Sequence, residues 1–182
     1  AGTIKRLGRV DDGTSSMDYE PEETKRHITI STAFSHLSWK KREIFLADPP
    51  GDDNFVNETR FAARVADSAI LTVGAVIGVR NQTEKFVAMI RERKLPCVIC
   101  ITKMDRERAN FSKVVGEIRS TFDLNPVVLY LPIGAEDKFR GVVDIAGRKA
   151  WFFKTDGSGQ SEAGEIPEDL AEEAETLRDS LM

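Results

Sequence analysis

Residues Ile44–Asp53 read IFLADPPGDD and constrain the fold more than any other stretch of the chain. Four apolar residues, Ile44 to Ala47, suit a strand buried on both faces, which is the habit of strands in α/β proteins. Asp48 ends the run, and two prolines and a glycine force a sharp turn after it. A carboxylate thus stands at the carboxyl end of an expected core strand, where open α/β sheets bind their ligands. D-x-x-G alone is a weak signal, so the remainder of the chain has to support it.

The surrounding pattern is alternating. Ile28–Trp39 is expected as a strand with a bulge near Ser35–His36, and His36 as a strand-surface residue. Lys40–Arg42 reads as a basic turn leading into Ile44. Helices follow at Phe55–Asp67, Asn81–Lys94 and 107–122, the last with Phe111, Val114, Val115, Ile118 and Phe122 on one stripe. Apolar strands lie between them, at Ser68–Val79 and Cys97–Ile101. Strand–helix alternation of this kind predicts a mostly parallel sheet with helices on both faces.

Beyond Leu124 the character changes. Strands are expected at Pro126–Ile133, Val142–Ile145 and Trp151–Phe153. A surface loop follows over Lys154–Ile166, then an acidic helix over Pro167–Leu181 packed on the small sheet. Upstream, Ala1–Leu7 has the look of a helix tail, and Asp11–Arg26 reads as one long loop, a length that usually carries function. The expected division is residues 1–124 as a partial nucleotide-binding domain and 125–182 as part of an inserted α+β subdomain.

Composition removes several function classes. With 182 residues and 41% hydrophobic content the chain can build a core, and its net charge of −4 argues against a free-standing DNA or RNA binder. No apolar run approaches a membrane span, and the amino end lacks a signal-peptide core. Cys97 and Cys100 form C-x-x-C inside an apolar strand rather than at a helix start. They are therefore expected as buried structural thiols in a reducing, cytoplasmic setting.

A second strand end carries chemistry. Cys97–Ile101 runs into Thr102-Lys103-Met104-Asp105, a variant of the N-K-x-D motif of P-loop GTP-binding proteins. In that motif the Asp accepts from guanine N1–H and the exocyclic amine, a donor pair adenine lacks, and the Lys stem packs along the base. In D-x-x-G the acid serves magnesium and the Gly amide meets the γ-phosphate. The two motifs together are far more specific than either alone.

The chain as a whole resembles the GTP-binding domain of the elongation factor G family, and within it the elongation factor G-like paralogues. The resemblance runs through GRVDDGTSSMDYEPEE, RHITI, DPPGDDNFVNETR, ITKMD and LPIGAEDKFRGVVDI. It implies a P-loop GTPase-type α/β fold and a GTP hydrolase acting on the ribosome, its rRNA and proteins, in translocation or recycling. GTP or GDP and Mg2+ are the implied cofactors, and the full-length factor would be cytoplasmic and monomeric, with no DNA or membrane partner. Thr29 would close on magnesium and the γ-phosphate together with Asp48. Gly51 and Asp52 occupy the catalytic positions, Lys103 and Asp105 the base-reading ones with Thr102 at the loop-bracing position of the same nucleotide-binding turn, and residues 11–27 the first switch loop.

Four departures from the family pattern qualify this. No G-x-x-x-x-G-K-[ST] occurs, and the family places that loop ahead of Ala1. Asp52 replaces the histidine that usually positions the attacking water. Thr102 replaces the motif's Asn. The last guanine-contacting loop would fall beyond Met182, so a chain truncated at both ends, inactive by itself, is expected. Two rivals remain: a non-hydrolysing GTPase-like module that binds the ribosome or another protein, and an ATP-using P-loop enzyme, against which Lys103 and Asp105 argue.

Overall fold

The computed structural model describes residue 8, residues 13–156 and residues 158–181. The helix tail expected over Ala1–Leu7 lies outside the described residues. The chain divides into two compact units. One holds the residues up to Ala69 together with Lys85–Val98, and the other holds Ile70–Glu84 and the residues from Ile99 onward.

In the first unit, the stretch read as one long loop contains a short helix, α1 (Pro21–Arg26). Its start is set by Pro21 at the first helical position, which has no N–H to leave unpaired, and by the Glu23 carboxylate, which accepts the Glu20 N–H at 2.9 Å. His27 ends the helix in the left-handed conformation, φ 55°. Strand β1 (Ala33–Trp39) begins later than the sequence suggested and carries no bulge. It pairs antiparallel with β2 (Arg42–Asp48) in unbroken register from Ala33↔Asp48 to Trp39↔Arg42. Lys40 and Lys41, both at positive φ (49° and 62°), make the two-residue turn whose twist matches such a hairpin.

Strand β2 corrects the expectation of burial on both faces. All seven residues are exposed, Phe45 to 80%. Among the described strands β2 pairs only with β1, and its apolar side chains Ile44, Phe45 and Leu46 are 39%, 80% and 39% exposed. An apolar run favours a strand but does not say what packs on it. His36 is on the strand surface, its ring stacked on Phe45.

After β2 the alternation runs as expected: α2 (Val56–Val65), β3 (Ala69–Gly74), α3 (Asn81–Glu92), β4 (Cys97–Thr102) and α4 (Phe111–Phe122). Strands β3 and β4 form a two-stranded sheet. The Ala69 N–H donates to the Pro96 carbonyl and the Ala75 N–H to the Thr102 carbonyl, so the strands run parallel. Asn110 caps α4 through its side-chain oxygen, which accepts the Lys113 N–H, and Val114, Ile118 and Phe122 of the expected stripe are buried. Both cysteines of β4 are exposed, contrary to the buried pair expected. They lie three residues apart on a strand, so their side chains leave opposite faces and cannot bridge.

The second unit ends in a four-stranded antiparallel sheet of β5 (Tyr130–Ile133), β6 (Gly141–Asp144), β7 (Lys149–Phe153) and β8 (Ser161–Gly164). Strand β8 lies within the stretch expected as a loop and pairs with β7 from Ala150↔Gly164 to Phe153↔Ser161. The acidic helix α5 (Glu168–Asp179) packs on this sheet as expected. Ala174 is buried with Leu131, Ile133, Val143, Ile145 and Ala150, and Leu170 and Leu177 pack against the same cluster.

Candidate functional site

The first unit gathers one set of the expected residues around the end of β2. Asp48 is the strand's last residue, opposite Ala33. The turn beyond it is tied to α2, because the Thr59 hydroxyl donates to the Pro50 carbonyl at 3.1 Å and Pro50 itself is buried. Gly51 is exposed, and a Cβ placed there would meet no atom within 4 Å. Neither crowding nor positive φ demands glycine at 51. Asp52 is used locally: its Oδ1 accepts the Asn54 N–H at 2.8 Å and the Asn54 Nδ2 at 2.7 Å, capping the short turn Asp53–Phe55. Asp53 forms an ion pair with Lys85 at 2.8 Å.

Thr29 is brought to the same set through a residue that sequence reasoning missed. Its hydroxyl donates to Asp18 Oδ1 at 2.9 Å, across eleven residues of chain. Asp48 responds to the same acid: desolvation by the surrounding chain pushes its carboxyl above the ordinary range, and the negative charge of Asp18 pushes it further. The Thr29 hydroxyl and the Asp18 and Asp48 carboxylates are all hard oxygen donors of the kind Mg2+ takes. Among the described residues no group of three His, Cys, Asp or Glu side chains is arranged to hold a metal ion. Residues 11–27 hinted at function by length, but nothing local marked Asp18.

Two further carboxylates fix the backbone next to Thr29. Glu23, 1% exposed, accepts from the Ile30 N–H at 2.8 Å and the Ser31 N–H at 2.9 Å through one oxygen. Burial alone would raise its pKa. The amides of Ser31, Ile30, Glu20 and Tyr19 outweigh that and hold the carboxyl below the usual glutamate range. Glu58 of α2 accepts from both the Thr32 hydroxyl (2.8 Å) and the Thr32 N–H (3.1 Å), and these two bonds, the hydroxyl's first, hold its carboxyl low as well. The E-P-E-E run preceding RHITI could have disclosed Glu23 as a capping acid. Glu58 carries no such mark.

The second unit holds the other set. Thr102 ends β4, and its carbonyl accepts the Ala75 N–H at 2.8 Å. Lys103 follows at φ 60°, a left-handed conformation that reverses the chain, and its carbonyl accepts the Arg106 N–H at 3.3 Å. Met104 is turned inward and buried with Ala75 and Ala109, which leaves the flanking Lys103 and Asp105 exposed.

An α/β chain with a D-x-x-G turn and a K-x-D turn at two strand ends belongs to the class of guanine-nucleotide-binding domains. The family defined as the elongation factor Tu GTP binding domain matches residues 1–178, and the chain belongs to that family. Elongation factor G of Mycoplasma genitalium (strain ATCC 33530 / DSM 19775 / NCTC 10195 / G37) is 38% identical over 184 aligned residues, covering 100% of this chain and 26% of that protein. A crystal structure of a Thermus thermophilus protein superposes with a TM-score of 0.89 at 29% identity, covering 99% of this chain and 26% of that one. The chain thus spans about a quarter of the length of these relatives.

Proposed function

We propose that this chain is the guanine-nucleotide-binding part of a translational GTPase that acts on the ribosome in the cytoplasm. Asp105 reads the guanine N1–H and exocyclic amine, the Lys103 stem lies along the base, and Thr102 closes the strand beneath them. Thr29 and Asp48 serve a magnesium ion bridging the phosphates, with Asp18 as the acid that orients the Thr29 hydroxyl. The Gly51 amide meets the γ-phosphate. Residues 1–124 belong to the nucleotide-binding domain and residues 125–182 to an inserted subdomain. The observation that carries the reading is the bond from the Thr29 hydroxyl to Asp18, whose charge also raises Asp48, since hard oxygens of this kind are what a magnesium ion takes.

The test is GTP binding by the full-length gene product with and without free magnesium. Chelation is expected to weaken GTP at least tenfold in the wild type and to have little further effect in Asp48→Asn or Thr29→Ala. Equal GTP affinity in magnesium and in chelator would overturn the reading.

Asp52 favours a second reading, a GTP-binding module that no longer hydrolyses. Its carboxylate is engaged in capping Asn54, and a negative charge beside γ-phosphate oxygens is repulsive. Tight GTP binding without multiple turnover, together with a gain of turnover in Asp52→His, would support that reading over the first.

A further inference from the structure

We propose that Glu136 is a positioning residue for guanine recognition, the residue that holds the Lys103–Arg108 turn in its base-reading shape. This rests on the reading of Lys103 and Asp105 as the base contacts.

Glu136 belongs to a different part of the sequence, the turn between β5 and β6, yet it is bonded to both sides of Asp105. Its backbone N–H donates to the Met104 carbonyl at 2.7 Å. Its Oε1 accepts the Arg108 N–H at 2.7 Å. These bonds grip the turn one residue before Asp105 and three residues after it, and neither belongs to a helix or a sheet ladder. A charge-assisted acceptor on a backbone amide is a stronger link than a neutral one.

The geometry at this junction is also costly. Lys103, Arg108 and Glu136 are all non-glycine residues in the left-handed region, at φ 60°, 66° and 58°. Such conformations persist where surrounding contacts over-determine them, and they gather at ligand sites. Here two hydrogen bonds of 2.7 Å tie Glu136 to Arg108 and to Met104, the residue next to Lys103. The Glu136 turn is itself fixed: Gly134 has φ 78°, and a Cβ there would fall 2.2 Å from the Lys138 carbonyl oxygen. Ala135 and Phe139, flanking Glu136, pack on the buried cluster of Ala75, Met104 and Ala109. The Glu136 turn therefore supplies the wall, the anchor and the acceptor for the loop that carries Asp105.

The experiment measures GDP and ADP affinity of the full-length gene product by calorimetry, for the wild type, Glu136→Ala and Glu136→Gln, alongside amide exchange at Arg108. Loss of one charge-assisted hydrogen bond is expected to weaken GDP about tenfold in Glu136→Ala and leave ADP unchanged, so base discrimination falls about tenfold. Exchange at Arg108 accelerates in the same variant. Glu136→Gln keeps an acceptor oxygen and restores most of the GDP affinity. Equal loss of GDP and ADP in Glu136→Ala, or an unchanged GDP-to-ADP ratio, would overturn the proposal. The underlying assignment is checked apart from it: should Asp105→Asn keep the wild-type preference for GDP, the base reading fails first and the role of Glu136 in recognition fails with it.

Discussion

Thr29 donates its hydroxyl hydrogen to Asp18, eleven residues away, and the same Asp18 raises the proton affinity of Asp48. One acid therefore links a loop threonine to a strand-end carboxylate. Asp18→Asn removes the charge while keeping an acceptor for Thr29. The Asp48 carboxyl is then expected to titrate at lower pH than in the wild type, still above the ordinary range because desolvation persists. Carboxyl chemical shifts followed against pH read this directly, and an unmoved Asp48 titration would break the link.

Glu23 predicts a pH dependence of opposite sign. Its folded-state pKa lies below the ordinary 4.5, so its contribution is complete above that pH and is lost as the pH falls through the depressed value. Amide exchange at Ile30 and Ser31 is expected to rise across this acidic window. Glu23→Gln presents an amide donor where a backbone N–H needs an acceptor, leaving a buried donor unsatisfied. The substitution should cost about 1–3 kcal/mol and flatten the acidic dependence. Parallel pH curves for the two proteins would contradict the clamp.

The β1–β2 hairpin turn offers a gain. Lys40 and Lys41 both hold positive φ, which asparagine and glycine adopt at less cost. Replacing the pair with Asn-Gly is expected to stabilise the hairpin by about 1 kcal/mol. Urea denaturation checks it, and a loss of stability would mean the lysines make contacts that outweigh the strain.

The four-stranded sheet and α5 stand on a small core. Ile145 is 2% exposed among Leu131, Val143 and Ala174. Ile145→Ala should cost about 2–5 kcal/mol, measured by chemical denaturation followed in the Trp151 fluorescence. A cost under about 1 kcal/mol would show that the site collapses without a cavity.

What the sequence disclosed and what it withheld separate along physical lines. The strand ends at Asp48 and Thr102, the helices after them and the packing of the acidic helix on the small sheet were legible, because apolar period and turn residues are local signals. Coverage is not local. Phe45 and the two cysteines of β4 sit in apolar runs that promise burial, yet all three are exposed. Helix α1 was hidden in a polar stretch because its stability comes from Glu23, a buried acid that a hydropathy pattern counts as surface. The contacts of Asp18 with Thr29 and of Glu136 with Arg108 span eleven and twenty-eight residues, and no spacing rule marks them. Family resemblance supplied Thr29, which the residues alone would have left as an ordinary threonine.

The central claim is that Asp105 reads a guanine base. The most direct test is the affinity of the full-length gene product for GDP and for xanthosine diphosphate, in the wild type and in Asp105→Asn. Xanthine carries a carbonyl oxygen where guanine carries the amine, so an asparagine amide can donate to it where aspartate only repels. The wild type should bind GDP far more tightly than the xanthine nucleotide, and Asp105→Asn should invert the order. A variant that kept the wild-type preference for GDP would contradict the assignment of this turn as the base reader.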